Sequence, residues 1–86
     1  MSRQQKLLLR FLAKPRDFTY DELDTLLKGF GYQEMKTGKT AGSRVAFFNE
    51  DNQNIIRLHR PHPGNVLKRY QLDDVEGHLR RKGSLP

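Results

Sequence analysis

Arg44, Arg57, His59, Arg60 and His62 are the residues of this chain whose types and spacing can do chemistry. They fall in two short segments, Gly42-Ser43-Arg44-Val45-Ala46-Phe47 and Leu58-His59-Arg60-Pro61-His62-Pro63-Gly64. Each joins an apolar, strand-like run to cations or imidazoles, and the stretch between them suits a hairpin. Pairing of the two strands gathers these side chains at one end of a small sheet. Guanidinium and imidazole groups clustered without cysteine or an acidic cage suit phosphate rather than a metal ion. That points to nucleic acid and, through the imidazoles, to its cleavage.

Metal-free RNA cleavage uses the 2′-hydroxyl of the RNA as nucleophile. It needs a base for that proton, an acid for the leaving oxygen and cations for the charge on the phosphorane. Histidine titrates unperturbed near neutral pH, and the chain has three, His59, His62 and His78. His59 and His62 flank Arg60-Pro61 at the edge of the basic segment, whereas His78 lies beside an apolar stripe. The expectation is acid/base work by His59 or His62, with Arg44 and Arg57 holding the scissile phosphate. Lys36, Lys39, Arg60, Lys68 and Arg69 are candidates for sequence-blind phosphate contacts, and Ser43 for a further RNA contact. Plainer readings compete. His59 and His62 can be solvated surface imidazoles, Arg44 an edge-strand cation that deters aggregation, and Ser43 a turn hydrogen bond. Phe48 reads either as a platform for a base or as a half-covered sheet residue.

The bulk composition agrees with a polyanion partner. Sixteen Lys/Arg against ten Asp/Glu leave a net charge of +6, which favours nucleic acid without separating RNA from DNA or from an acidic protein. The 86 residues make one domain with a thin core, since only 35% of them are hydrophobic. The absence of cysteine removes disulfides and thiolate metal sites together. The three histidines and scattered carboxylates show no zinc-ligand spacing, so no metal or cofactor is expected. No apolar run approaches the roughly 18 residues of a membrane span, and the N-terminus lacks a signal-peptide core. A cytoplasmic protein is expected.

The elements that must position these residues can be read from hydrophobic period. Gln4 to Ala13 places Leu7, Leu8, Phe11 and Leu12 on one helical stripe that Pro15 stops. Thr19-Tyr20-Asp21-Glu22 is a capping box opening a second helix, with Leu23, Leu26, Leu27 and Phe30 on one face and Gly29 or Gly31 at its end. Tyr32 to Met35 reads as a first strand, 37–42 as a polar loop, Val45 to Phe48 and Asn54 to Leu58 as a hairpin across the turn residues Asn49 to Gln53. A last helix runs from about Gln71 to Arg81, with Leu72, Val75 and Leu79 buried, Asp73 and Asp74 in its first turn and Gly83 closing it. The predicted fold is α+β, in the order α-α-β-β-β-α, with helices over one face of a three-stranded antiparallel sheet. Alternation then sets Val45, Phe47, Ile56 and Leu58 against the helices, leaving Arg44, Ala46, Phe48, Ile55, Arg57 and His59 on the open face.

The ordered set resembles the HicA toxins, small RNA-cleaving proteins (mRNA interferases) of type II HicAB toxin-antitoxin systems. The matching features are Gly29-Phe30-Gly31-Tyr32 after a leucine helix, Gly42-Ser43 opening the second strand, and the Pro61-His62-Pro63-Gly64 exit from an apolar third strand. A C-terminal helix preceded by Lys68-Arg69 and ending near Lys82-Gly83 completes them. The resemblance covers about residues 19 to 85, so the helix at about 4–14 reads as an addition to the core. It implies a double-stranded-RNA-binding-like fold, metal-independent cleavage of mRNA and inhibition by a HicB-type antitoxin covering the active face. Arg44 stands where the family's Gly-Ser-His motif has its histidine, and arginine cannot act as a base because its pKa stays above about 12. Either the chain does not cut, or the chemistry belongs to another group. Two expectations follow: an mRNA-cleaving toxin, or a non-catalytic module of the same fold that grips RNA or an antitoxin. A DNA-binding accessory is a third, for which no recognition helix with base-reading residues is visible.

Overall fold

The computed structural model describes residues 2–35, 44–61 and 64–85. Six elements run in the order α-α-β-β-β-α: α1 (Arg3–Leu12), α2 (Tyr20–Gly29), β1 (Tyr32–Met35), β2 (Arg44–Asn49), β3 (Asn54–His59) and α3 (Arg69–Arg81). The three strands form an antiparallel sheet in the spatial order β1-β2-β3. The expected α+β class and element order are therefore those of the protein.

Local chemistry starts and stops each helix. The Thr19 hydroxyl accepts from the Glu22 amide at 3.1 Å and the Glu22 carboxylate accepts from the Thr19 amide at 3.0 Å, the reciprocal box expected for α2. An equivalent box not singled out in the sequence opens α1, where Ser2 and Gln5 exchange the same two bonds. Gly31 closes α2 with φ +94° and Gly83 follows α3 with φ +75°, a conformation glycine adopts without steric cost. α3 begins two residues earlier than expected, at Arg69, so Asp73 and Asp74 do not sit in its first turn. Asp73 instead pairs with Lys14 at 2.9 Å.

The core lies between the sheet and the helices. Phe47, Ile56 and Leu58 from the sheet meet Leu23, Leu26 and Leu27 from α2 and Leu72, Val75 and Leu79 from α3. α1 is part of this core, because Phe11 is fully buried and packs edge-on to Phe18 with ring centroids 5.7 Å apart. Polar bonds fix the same helix: Gln4 donates to the Leu26 carbonyl at 3.0 Å, and Arg10 pairs with Glu22 at 2.8 Å and Asp17 at 2.9 Å. Lys14 then takes a left-handed backbone conformation, φ 54°, and its ammonium reaches α3 to pair with Asp73 and Glu76. That conformation is unfavourable for a side chain with a Cβ, by about 1 kcal/mol; it turns the chain into Pro15 and points the ammonium at two carboxylates. The first helix is thus a built-in layer rather than an appendage.

Asn49 belongs to β2 rather than to the turn. Its amide donates to the Phe30 carbonyl at 3.0 Å and its side-chain oxygen accepts from the Asp51 amide at 2.9 Å. Its register partner Asn54 donates to the Tyr32 hydroxyl at 2.7 Å, so all three strands are tied at one rung.

Two outcomes follow. Phe11→Ala should cost about 3–5 kcal/mol in urea unfolding, as for other large core truncations; an unattached first helix would show almost no change. Hydrogen bonds from Arg10 hold Glu22 below its ordinary pKa, and hydrogen bonds from Lys14 and Arg80 do the same for Glu76. The folded chain therefore binds fewer protons than the unfolded one. The stability this contributes is present above the ordinary carboxylate value of 4.5 and is lost as the pH falls through the lower folded values. Glu76→Gln should shrink that acid-side loss, measured as the unfolding midpoint against pH.

Candidate nucleic-acid interface

One-sided burial of the hairpin decides what its other side shows. Val45, Phe47, Ile56 and Leu58 face the helices, so their neighbours along each strand face away. The register then sets Arg44 directly opposite His59 and Ala46 opposite Arg57. Arg57 stands one residue pair along from His59 on the same face, and all three side chains are exposed. Directly opposed residues have Cβ atoms about 5 Å apart and their diagonal neighbours about 7 Å, within joint reach of one phosphate for long cations. Neither Arg44 nor Arg57 is in an ion pair among the described residues. Ala46, between Met35 and Arg57 on the central strand, is buried beneath its longer neighbours.

The rest of the face has a different character. Phe48 pairs with Gln33 and Ile55 and shares a groove with Glu50 and Asp51. It lies at the acidic end of the sheet, away from Arg44 and His59, and is half-buried. The reading of Phe48 as a half-covered sheet residue fits this placement better than a base platform beside the cationic end.

Arg60 departs from the expected cluster. The alternation that turns His59 outward turns Arg60 to the helix side, where it pairs with Glu34 at 3.2 Å and stacks its guanidinium 4.7 Å above the Tyr20 ring. The Tyr20 hydroxyl donates to the same Glu34 carboxylate. Burial, and then the adjoining Glu34 carboxylate, hold the Tyr20 phenol above its ordinary pKa. Tyr20, Glu34 and Arg60 thus form a lock between the start of α2, β1 and the exit of β3, on the face opposite Arg44 and Arg57.

Gln71 brings α3 to the cationic end. Its side-chain oxygen accepts from the Lys68 amide at 3.0 Å and its amide donates to the His59 carbonyl at 2.9 Å. Buried and fully satisfied, it clasps the end of β3 to the first turn of α3. Lys68 and Arg69, both exposed, are thereby set at the same end as His59. The segment before them is held against the entry to α2 by the Thr19–Val66 bridge and the Leu67 amide donating to the Phe18 carbonyl at 2.8 Å. Between β3 and α3 lies a cleft of ≈ 370 Å³ lined by Arg57, Leu58, His59, Tyr70, Gln71 and Asp74. Neither Tyr70 nor Asp74 was expected at a binding site, and a signal for them was present. They stand at i, i+4 spacing off the Leu72, Val75 and Leu79 stripe, directly after two cations.

Of the residues expected to act together, the fold brings Arg44, Arg57 and His59 onto one face, adds Lys68 and Arg69 at its end and sends Arg60 elsewhere. His62, Ser43, Lys36 and Lys39 lie outside the described residues. His78 is half-buried on α3 with its Nε2 3.9 Å from the Asp74 carboxylate. Comparison with protein-family models, with curated proteins and with solved structures found no match to this chain.

If Arg44 and Arg57 each hold a phosphate, Arg44→Ala or Arg57→Ala should weaken binding evenly across unrelated RNA sequences. Each should also lower the slope of log affinity against log salt by about 1. Arg60→Ala, which removes a cation already engaged by Glu34, should leave that slope unchanged in the same titration.

Proposed function

We propose that this protein acts on RNA through the open face of its sheet, as a metal-independent ribonuclease of the HicA toxin type. The observation that carries the reading is the register pairing Arg44 with His59 and Ala46 with Arg57 on the sheet face turned away from the described helices. Two guanidiniums beside an imidazole are the parts an in-line attack by a 2′-hydroxyl needs: charge for the phosphorane and a group that moves a proton near neutral pH. His59 is the acid/base group of the described residues in this scheme, with His62 its partner for the second proton. Lys68 and Arg69 extend the cationic surface along the bound strand, and mRNA is the substrate that the resemblance implies. A HicB-type antitoxin with an acidic surface would neutralise the protein by covering this face, where its carboxylates meet Arg44 and Arg57.

A second reading has its own observation. Arg44 occupies the position where the resembled motif carries a histidine, and an arginine cannot accept the proton. With that group gone, the same face binds RNA or an antitoxin without cutting.

One experiment separates the two. Purified protein is incubated with a long mRNA in EDTA and resolved on denaturing and native gels. Fragments, reduced about 10²–10⁴-fold by His59→Ala, support the ribonuclease. Intact RNA that is shifted on the native gel selects the binding module. RNA that is neither cut nor shifted overturns both.

A further inference from the structure

We propose that the cleft between β3 and α3 is a base-reading subsite and that the base it accepts is guanine. The inference rests on the open sheet face being an RNA surface, and it adds what that face would select. Three features of the cleft point to a nucleobase. Tyr70 lines it and is 64% exposed, although each aromatic residue of the core is buried. An aromatic ring beside a cationic backbone site is the usual platform for an unstacked base. Arg57 lines the cleft and also stands on the phosphate-binding face, so one side chain joins the two sites. Asp74 is the carboxylate of this cleft, across from Arg57, and its side chain is 56% exposed. The His78 Nε2 on the next turn is 3.9 Å away, too far for a hydrogen bond.

The carboxylate decides which base. An ionised carboxylate only accepts hydrogen bonds. On its Watson–Crick edge guanine offers two adjacent donors, N1–H and the N2 amine, which two carboxylate oxygens can accept together. Adenine and cytosine each set one amine donor beside a ring-nitrogen acceptor, which the carboxylate repels. Uracil offers one N–H between two carbonyls. Gln71 does not compete for the base, because both ends of its side chain are already bonded, to Lys68 and to His59. A guanine stacked on Tyr70 with its edge on Asp74 leaves its own phosphate toward Arg57, on the side where Arg44 and His59 stand.

The test measures anisotropy of labelled, fully 2′-O-methylated uridine hexamers, which lack the attacking hydroxyl, each carrying a single 2′-O-methyl guanosine, inosine or adenosine. The expected result is guanosine about tenfold tighter than adenosine, with inosine, which lacks the N2 amine, between them. Tyr70→Ala should lose about tenfold on the guanosine probe while Tyr70→Phe retains its affinity. Asp74→Asn should bring the guanosine-to-adenosine ratio to about one. Both positions are exposed, and circular dichroism checks that each variant is folded. Equal affinity of the unchanged protein for all three probes overturns the base subsite and leaves the RNA-binding face standing. An Asp74→Asn protein that binds every probe more tightly at an unchanged ratio also overturns it, since the carboxylate would then act only as a charge. No binding of any probe by the unchanged protein overturns the RNA surface itself.

Discussion

A strand that buries one face has no freedom over what it shows on the other, and the site on this protein depends on that constraint. Phe47 and Ile56 are fully buried and Leu58 nearly so. Slipping β2 or β3 by one residue would bring these side chains into water, at about 1.5–3 kcal/mol each, and press Arg44 or Arg57 into an apolar core. The register is held further by the rung of Tyr32, Asn49 and Asn54, whose side-chain bonds tie the three strands to each other and to the end of α2. The meeting of two guanidiniums and an imidazole on the open face is therefore a consequence of how the core packs.

Part of the positive charge is consumed by the fold: Arg10 by Asp17 and Glu22, Lys14 by Asp73 and Glu76, and Arg60, turned to the helix side by strand parity, by Glu34 and the Tyr20 ring. These bonds hold α1, α2, β1 and α3 together around a small core. Arg44 and Arg57 have no such partner among the described residues, so the fold leaves their charge available to a ligand. A net charge of +6 describes the chain; the distribution of carboxylates decides where that charge can be used.

How far the sequence could be read followed from the range of the interactions involved. Element order, the Thr19–Glu22 box and the inward set Val45, Phe47, Ile56 and Leu58 were legible because they are written in spacings of two to four residues. The facing of Arg44 and His59 followed from the same alternation. Arg60 was misplaced because the expectation counted cations near the sheet end without carrying the alternation one residue past β3. The role of α1 was missed for a different reason. Its attachment depends on Lys14 meeting Asp73 and Glu76 across most of the chain, and on a left-handed lysine that no local pattern announces. The cleft of Tyr70 and Asp74 is likewise tertiary, since it exists only once Gln71 has clasped α3 to β3.

That cleft also gives the acidic residue at the cationic end a physical rationale. A carboxylate beside a phosphate-binding surface lowers affinity for every nucleic acid, because its charge opposes the backbone in the same way at each sequence. As a general binder of RNA the protein would be better served by a neutral residue at position 74. In the proposed reading, what Asp74 supplies in exchange is discrimination, which is a difference of affinities and can be made by penalising the wrong ligand as well as by rewarding the right one. Arg44 and Arg57 would hold any backbone alike. A single acceptor set beside them, with an exposed ring to seat the base, would convert uniform attraction into a preference for the one edge that presents paired donors.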